Sequence, residues 1–231
     1  MLDADNLINS LKIQKGITSV IGSGGKTSLI SYLASHLSEK GSVIITTTTH
    51  ILPFTDYPFS DYLSESLNSH TIMVVGTLCA NGKLTVPHQN IEELSKFADY
   101  VLVEADGSKG LPLKAHADYE PVILSSSNAI IAVIGIDGIG KPIYEAAHRP
   151  EIYASLLSTS IDTVVTTEMA ANILKTFPSV TAFVINKADS MRQVESARNI
   201  ASLLNHPTAI TSFIQSKPII EIWRNHKCLL S

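Results

Sequence analysis

Val20-Ile21-Gly22-Ser23-Gly24-Gly25-Lys26-Thr27-Ser28 decides the reading of this chain. An apolar, β-branched run, Ile17-Thr18-Ser19-Val20-Ile21, precedes the glycines and reads as a buried strand. Beyond them Leu29, Ile30, Leu33, Ala34 and Leu37 fall on one stripe of a helix. Strand, glycine-rich turn, Lys-Thr and helix is the setting in which a backbone cradles phosphate. Glycine permits the tight turn and keeps a Cβ out of the anion's way. The N–H groups that open the helix then face the anion, and the helix dipole favours its charge. Gly22, Ser23, Gly24, Gly25, Lys26, Thr27 and Ser28 are therefore the expected nucleotide-phosphate residues. Lys26 is expected to face ligand and solvent rather than core, reaching the β- and γ-phosphates, and the Thr27 hydroxyl to ligate Mg²⁺. The alternative is a glycine-rich strand-to-helix turn with an incidental lysine.

The loop is compact. Val20 stands where the full phosphate-loop (P-loop) pattern has its first glycine. The shorter spacing, Gly-Ser-Gly-Gly-Lys-Thr, is similar to the loop of Mur-type ligases.

Downstream, Tyr100-Val101-Leu102-Val103 is a continuous apolar run of the kind a parallel sheet buries on both faces. It ends in Glu104-Ala105-Asp106-Gly107-Ser108-Lys109. An apolar strand that ends in carboxylates suits a second magnesium element, with Asp106 on the metal and Glu104 orienting the attacking water. A strand-end acid that merely caps a turn is the competing reading. Asn186-Lys187-Ala188-Asp189 follows another apolar run and matches the Asn-Lys-x-Asp guanine signature. There a carboxylate, Asp189, accepts from guanine N1–H and the 2-amino group, a donor pair that adenine lacks. Lys187 would lie along the base and Asn186 would reach its N7 side. The same residues also read as a strand-to-helix turn, with Asp189 or Ser190 as helix cap. In the run 46–49, Thr47 and Thr48 are candidates for a γ-phosphate or Mg²⁺ contact, against a reading as plain β-propensity. Lys109 and Arg149 sit in strand-end loops and can neutralise transition-state charge. His50, His116 and His148 lack the tight spacing of a metal site.

Strands alternating with helices predict an α/β chain, three-layer α/β/α and P-loop NTPase-like, with one mostly parallel sheet and helices on both faces. Further strands are expected at Thr163-Val164-Val165, 182–185 and 208–212, and helices over 91–97, 149–158, 168–176 and 190–204. We expect one domain over 1–231, with a loop and hairpin insertion around 53–90 that carries the turn signal Asn81-Gly82. In an open parallel sheet the carboxyl ends of the strands form the ligand crevice, so these distant motifs should converge on one edge. A net charge of −4 gives no electrostatic case for nucleic acid as partner. The acidic, polar N-terminus is not expected to act as a signal peptide, no run reaches membrane-span length, and Cys79 and Cys228 form no redox or metal motif. A cytoplasmic location is expected.

Three stretches together carry a resemblance. They are 22–28 with 46–51; Val103-Glu104-Ala105-Asp106-Gly107-Ser108-Lys109-Gly110-Leu111-Pro112-Leu113-Lys114-Ala115; and 135–142 with His148-Arg149-Pro150-Glu151. The chain resembles the YqeC family over nearly its whole length. That resemblance implies an accessory role in maturing selenium-dependent molybdenum hydroxylases, with such a hydroxylase or its cofactor as client. The motifs imply a GTP- or ATP-binding protein with Mg²⁺ and slow hydrolysis. Two alternatives stand beside this: a nucleotide-dependent small-molecule transferase or ligase, and a nucleotide-bound chaperone without turnover.

Overall fold

The computed structural model describes residues 2–230. In chain order the strands are β1 (Gly16–Gly22), β2 (Val43–Thr47), β3 (Phe59–Ser60), β4 (Ile72–Val75), β5 (Thr77–Leu78), β6 (Leu84–Thr85), β7 (Tyr100–Glu104), β8 (Leu113–Lys114), β9 (Ser127–Gly135), β10 (Ala147–His148), β11 (Ala182–Asn186), β12 (Thr208–Thr211), β13 (Ile219–Arg224) and β14 (Lys227–Leu230). The helices are α1 (Ala4–Ser10), α2 (Lys26–Leu37), α3 (Ile91–Leu94), α4 (Ile143–Ala146), α5 (Pro150–Leu156), α6 (Thr167–Lys175) and α7 (Met191–Ser202).

The apolar runs become the interior of a sheet ordered β14-β13-β12-β11-β9-β1-β7-β2-β4-β3. From β3 to β12 every pairing is parallel. Because side chains alternate across a strand, each run feeds two cores. Ile17, Ile21, Val101, Val103, Ile130, Ile134 and Ile185 pack on one face with the apolar sides of α3, α4, α5, α6 and α7. Val20, Ile45, Leu102, Ile131, Val133 and Val184 pack on the other with Leu7 and Ile8 of α1 and Leu29, Ile30 and Leu33 of α2. This is the expected three-layer α/β/α arrangement, mostly parallel. No helix of the described residues is long and apolar enough to cross a membrane.

Three local expectations are corrected. Thr163-Val164-Val165 is not a strand: only Val164 bridges, to Pro142. Its β-branched side chains favour extended backbone, and Thr163 and Val165 do bond to residues 140–143, but the partner segment enters α4 at Ile143 and the ladder stops there. The helix expected over 91–97 closes at Leu94, and i→i+3 bonds from Lys96 and Phe97 carry the chain on as turns. The sheet also ends in antiparallel β13 and β14, which the sequence reading left out. Within 53–90, β3 and β4 join the main sheet, while β5 and β6 form a separate antiparallel hairpin.

The strand order positions the site. The chain leaves β1 for β2, returns to insert β7 between them, then crosses to β9 on the far side of β1. That reversal makes the carboxyl ends of β1, β7 and β9 a switch point, where open parallel sheets leave a crevice.

Candidate functional site

At that crevice lies a cleft of about 690 Å³. Gly24, Gly25, Lys26, Thr27 and Ser28 form its floor. His50, Ile51 and Leu52 come from the segment after β2, and Lys83 from the β5–β6 turn. Glu104, Gly107, Ser108, Lys109 and Gly110 follow β7, His148 and Arg149 link β10 to α5, and Lys187 follows β11. The convergence on one sheet edge is as the strand-end rule expects.

The glycine loop is held by its surroundings. Gly24 (φ 72°) and Gly25 (φ 130°) adopt backbone angles that L side chains rarely take. A Cβ on Gly24 would run into the backbone nitrogen of Gly135, and one on Gly25 into the Asn186 amide. The Ser23 N–H donates to Val133 O (2.8 Å) and its hydroxyl to Pro112 O (2.9 Å). Gly25 is the N-cap of α2 and no side chain caps that end. The first N–H groups of a helix have no intrahelical acceptor, so those of α2 remain directed at the cleft floor.

Lys26 departs from the sequence expectation. It is only 3% exposed and turns inward rather than toward solvent. Its Nζ donates to Gly22 O (2.8 Å) and lies 3.1 Å from Asp106 Oδ1 and 3.5 Å from Glu104 Oε1. The reason is the pair of buried carboxylates, which attract the nearest cation strongly in a poorly solvated interior.

The two carboxylates differ. Glu104 lines the cleft, and its Oε2 accepts from the Thr27 hydroxyl at 3.2 Å. Burial pushes its carboxyl up, against the pull of Lys26. Asp106 sits behind, 1% exposed. Its Oδ2 accepts the Gly22 N–H (2.8 Å), meets His116 Nε2 at 2.7 Å and lies 3.3 Å from Lys114 Nζ. Burial opposes its ionisation, but Lys26, His116 and Lys114 outweigh burial and hold the carboxyl down at about 2. Lys114, fully buried, also donates to Gly107 O (2.6 Å) and pairs with Glu120 (2.9 Å). Arg149 grips that same Glu120 through two nitrogens, at 3.1 and 3.2 Å. A chain of ion pairs thus runs from Arg149 in the cleft to the amide of Gly22.

The remaining expected residues are placed as follows. Asn186 is buried; its amide donates to Gly24 O (3.0 Å) and its Oδ1 accepts from Thr211 (3.2 Å), so it braces the glycine loop. Lys187 lines the cleft and pairs with Asp137 at 2.9 Å. Asp189 is exposed beyond the cleft lining and accepts the Ser212 hydroxyl at 2.5 Å. Ser190, of the two candidates, caps α7. Thr47 and Thr48 do not line the cleft. Their hydroxyls are taken by Glu104 O (2.8 Å) and Val122 O (3.1 Å). His50 and His148 reach the cleft, while His116 turns to Asp106. Lys83, Glu120 and Ser212 were not singled out in the sequence. Ser212 follows the last parallel strand, so the strand-end rule points to it; Lys83 and Glu120 carry no such signal.

The family model for the YqeC protein matches residues 18–151, which contain the glycine loop, both carboxylates and Arg149. The Escherichia coli (strain K12) protein YqeC is 36% identical over 177 residues, covering 70% of this chain and 69% of that one. By both matches, the chain belongs to the YqeC family.

Proposed function

We propose that this protein binds a magnesium–nucleoside triphosphate, GTP in preference to ATP, and hydrolyses it slowly. The observation that carries this reading is the uncapped N-terminus of α2 behind a positive-φ glycine loop, with Lys26 and Thr27 as its first two residues. Backbone N–H groups, a helix dipole and a lysine together suit a polyphosphate. Mg²⁺ prefers hard oxygen donors and few of them. The Thr27 hydroxyl and the Glu104 carboxylate, already side by side, form such a pair. Glu104, which lines the cleft, is better suited than Asp106, which sits behind it with Oδ2 committed to Gly22, His116 and Lys114 and with Oδ1 beside the Lys26 ammonium. When bound, the metal would neutralise phosphate oxygens. Lys26 would trade its carboxylate partners for the phosphates and hold charge on the leaving group.

The guanine preference is supported by Asn186, which ties the segment after β11 to the glycine loop, and by Asp189, which Ser212 orients from the next strand. The selenium-dependent molybdenum hydroxylase remains the client that the family resemblance suggests, with nucleotide state gating delivery of its cofactor.

Glu104→Gln tests the metal assignment. It should weaken Mg²⁺-dependent nucleotide binding by about tenfold or more while leaving Mg²⁺-free binding near wild type. Nucleotide titrations with and without Mg²⁺ measure this. An unchanged metal dependence would remove Glu104 from the metal.

A further inference from the structure

We propose that the half of the cleft lined by His50, Lys83, Lys109, His148 and Arg149 is a subsite for a second ligand, a small phosphorylated molecule bound beside the nucleotide. The proposal rests on the nucleotide reading above for the first half of the cleft. An acidic chain of net charge −4 lines this cleft with Lys26, Lys83, Lys109, Arg149 and Lys187. Among the described lining residues only Glu104 is acidic; Asp106, Asp137 and Glu120, outside the lining, pair with Lys26, Lys187 and Arg149, so Lys83 and Lys109 carry the uncompensated positive charge. Such concentration of one sign against the net charge focuses potential on an anion.

The glycine loop and α2 already provide for a triphosphate, and Lys26 and Lys187 lie on that side. The other cations are in excess of it. The ammonium groups of Lys83 and Lys109 have no ion pair or hydrogen bond among the described residues. They come from separate elements, the β5–β6 turn and the loop after β7, so neither sequence proximity nor a shared helix explains why both line this cleft.

Arg149 is prearranged. Glu120 holds two of its nitrogens, and its guanidinium lies over the Tyr119 ring at 5.1 Å. The other N–H groups of that planar fork match phosphate oxygens. Its backbone is left-handed (φ 65°) although Pro150 follows, and the residue before proline prefers extended angles. Lys109 (φ 51°) is left-handed as well. Strain of this kind is retained where a particular side-chain position is needed. Beside Arg149, the buried Nδ1 of His148 has no hydrogen-bond partner. Burial, together with Lys114 and Arg149, pushes the His148 imidazole down, and the residue lines the cleft next to Arg149.

The test titrates inorganic phosphate into the full chain saturated with the magnesium complex of a non-hydrolysable GTP analogue, which fills the γ-phosphate position. Phosphate should still bind saturably. Lys83→Ala, on an exposed turn, and His148→Gln should each weaken it by about tenfold or more, with analogue affinity held within about twofold. Absence of phosphate binding beside the analogue, or weaker analogue binding in these variants, would overturn the subsite. If wild type binds no analogue at all, the nucleotide reading fails and phosphate alone decides the subsite. Binding lost in Lys83→Ala and kept in Lys26→Ala supports it, and any other pattern overturns it.

Discussion

Asp106→Asn should cost about 3–5 kcal/mol of folding stability, because it leaves buried cations without their counter-charge. The melting temperature should fall by roughly 6 °C or more at this chain length. The carboxylate is 1% exposed and is the shared partner of Lys26, Lys114, His116 and the Gly22 amide. Asparagine keeps the shape but supplies no charge and brings an NH₂ group to a place crowded with donors. Pairing the change with Lys114→Met should recover part of the loss, since a buried ion pair replaced as a whole costs less than one broken. The pH dependence has a defined sign. The Asp106 carboxyl is held down at about 2 from an ordinary 3.8, so its stabilisation is complete above that ordinary value. It drains away as pH falls from there toward 2. Glu120, held down by Arg149 and Lys114 against burial, loses its contribution in the same direction. Urea denaturation at pH 7 and at acid pH reads both effects. A variant that melts within a degree of wild type would show that the network is not structural.

Asp189→Asn should turn base preference from guanine to xanthine. Xanthine presents a carbonyl where guanine has its amine, so an amide donor pairs with it and a carboxylate does not. One such hydrogen-bond pair is worth about 1–3 kcal/mol, so the ratio of GTP to XTP affinity should move about tenfold or more. Ser212 donates to Asp189 Oδ1, which fixes the side chain before any ligand arrives and leaves Oδ2 and the second lone pair of Oδ1 for the two guanine donors. Asp189→Ala should lose guanine affinity without gaining xanthine. Competition titrations with GTP, ATP and XTP distinguish these outcomes. If wild type binds ATP and GTP alike and Asp189→Asn alters only thermal stability, residues 186–189 are a turn and the guanine assignment falls.

The sheet was legible because buried parallel strands announce themselves as apolar runs: 100–103 and 182–185 lie within β7 and β11 as they stand. The loop between β1 and α2 was legible because its glycines interrupt one periodicity and open another. The roles of individual polar residues were not. Lys26, Asp106 and Lys114 meet only because the chain doubles back after β7, with Pro112 O accepting from Gly135 N–H and β8 pairing with β10. No spacing in the segment 104–116 foretells which carboxylate turns inward. Thr163-Val164-Val165 misled for the opposite reason: its composition favours a strand, but a strand exists only beside a partner. The C-terminal hairpin was missed because Trp223-Arg224-Asn225-His226-Lys227 lacks the glycine that marks most tight turns, and Asn225 and His226 take the positive φ angles instead.

The central claim is that the glycine loop binds a triphosphate, and calorimetric titration of Mg·GTP into wild type and Lys26→Ala tests it most directly. Lys26 also pairs with two buried carboxylates, so a thermal melt of each protein should accompany the titration to separate lost binding from lost fold. The account predicts saturable one-to-one binding by wild type, tighter for Mg·GTP than for Mg·ATP, and no measurable binding by a folded Lys26→Ala. Equal affinity for Mg·GTP in the two folded proteins, or none in either, would contradict it.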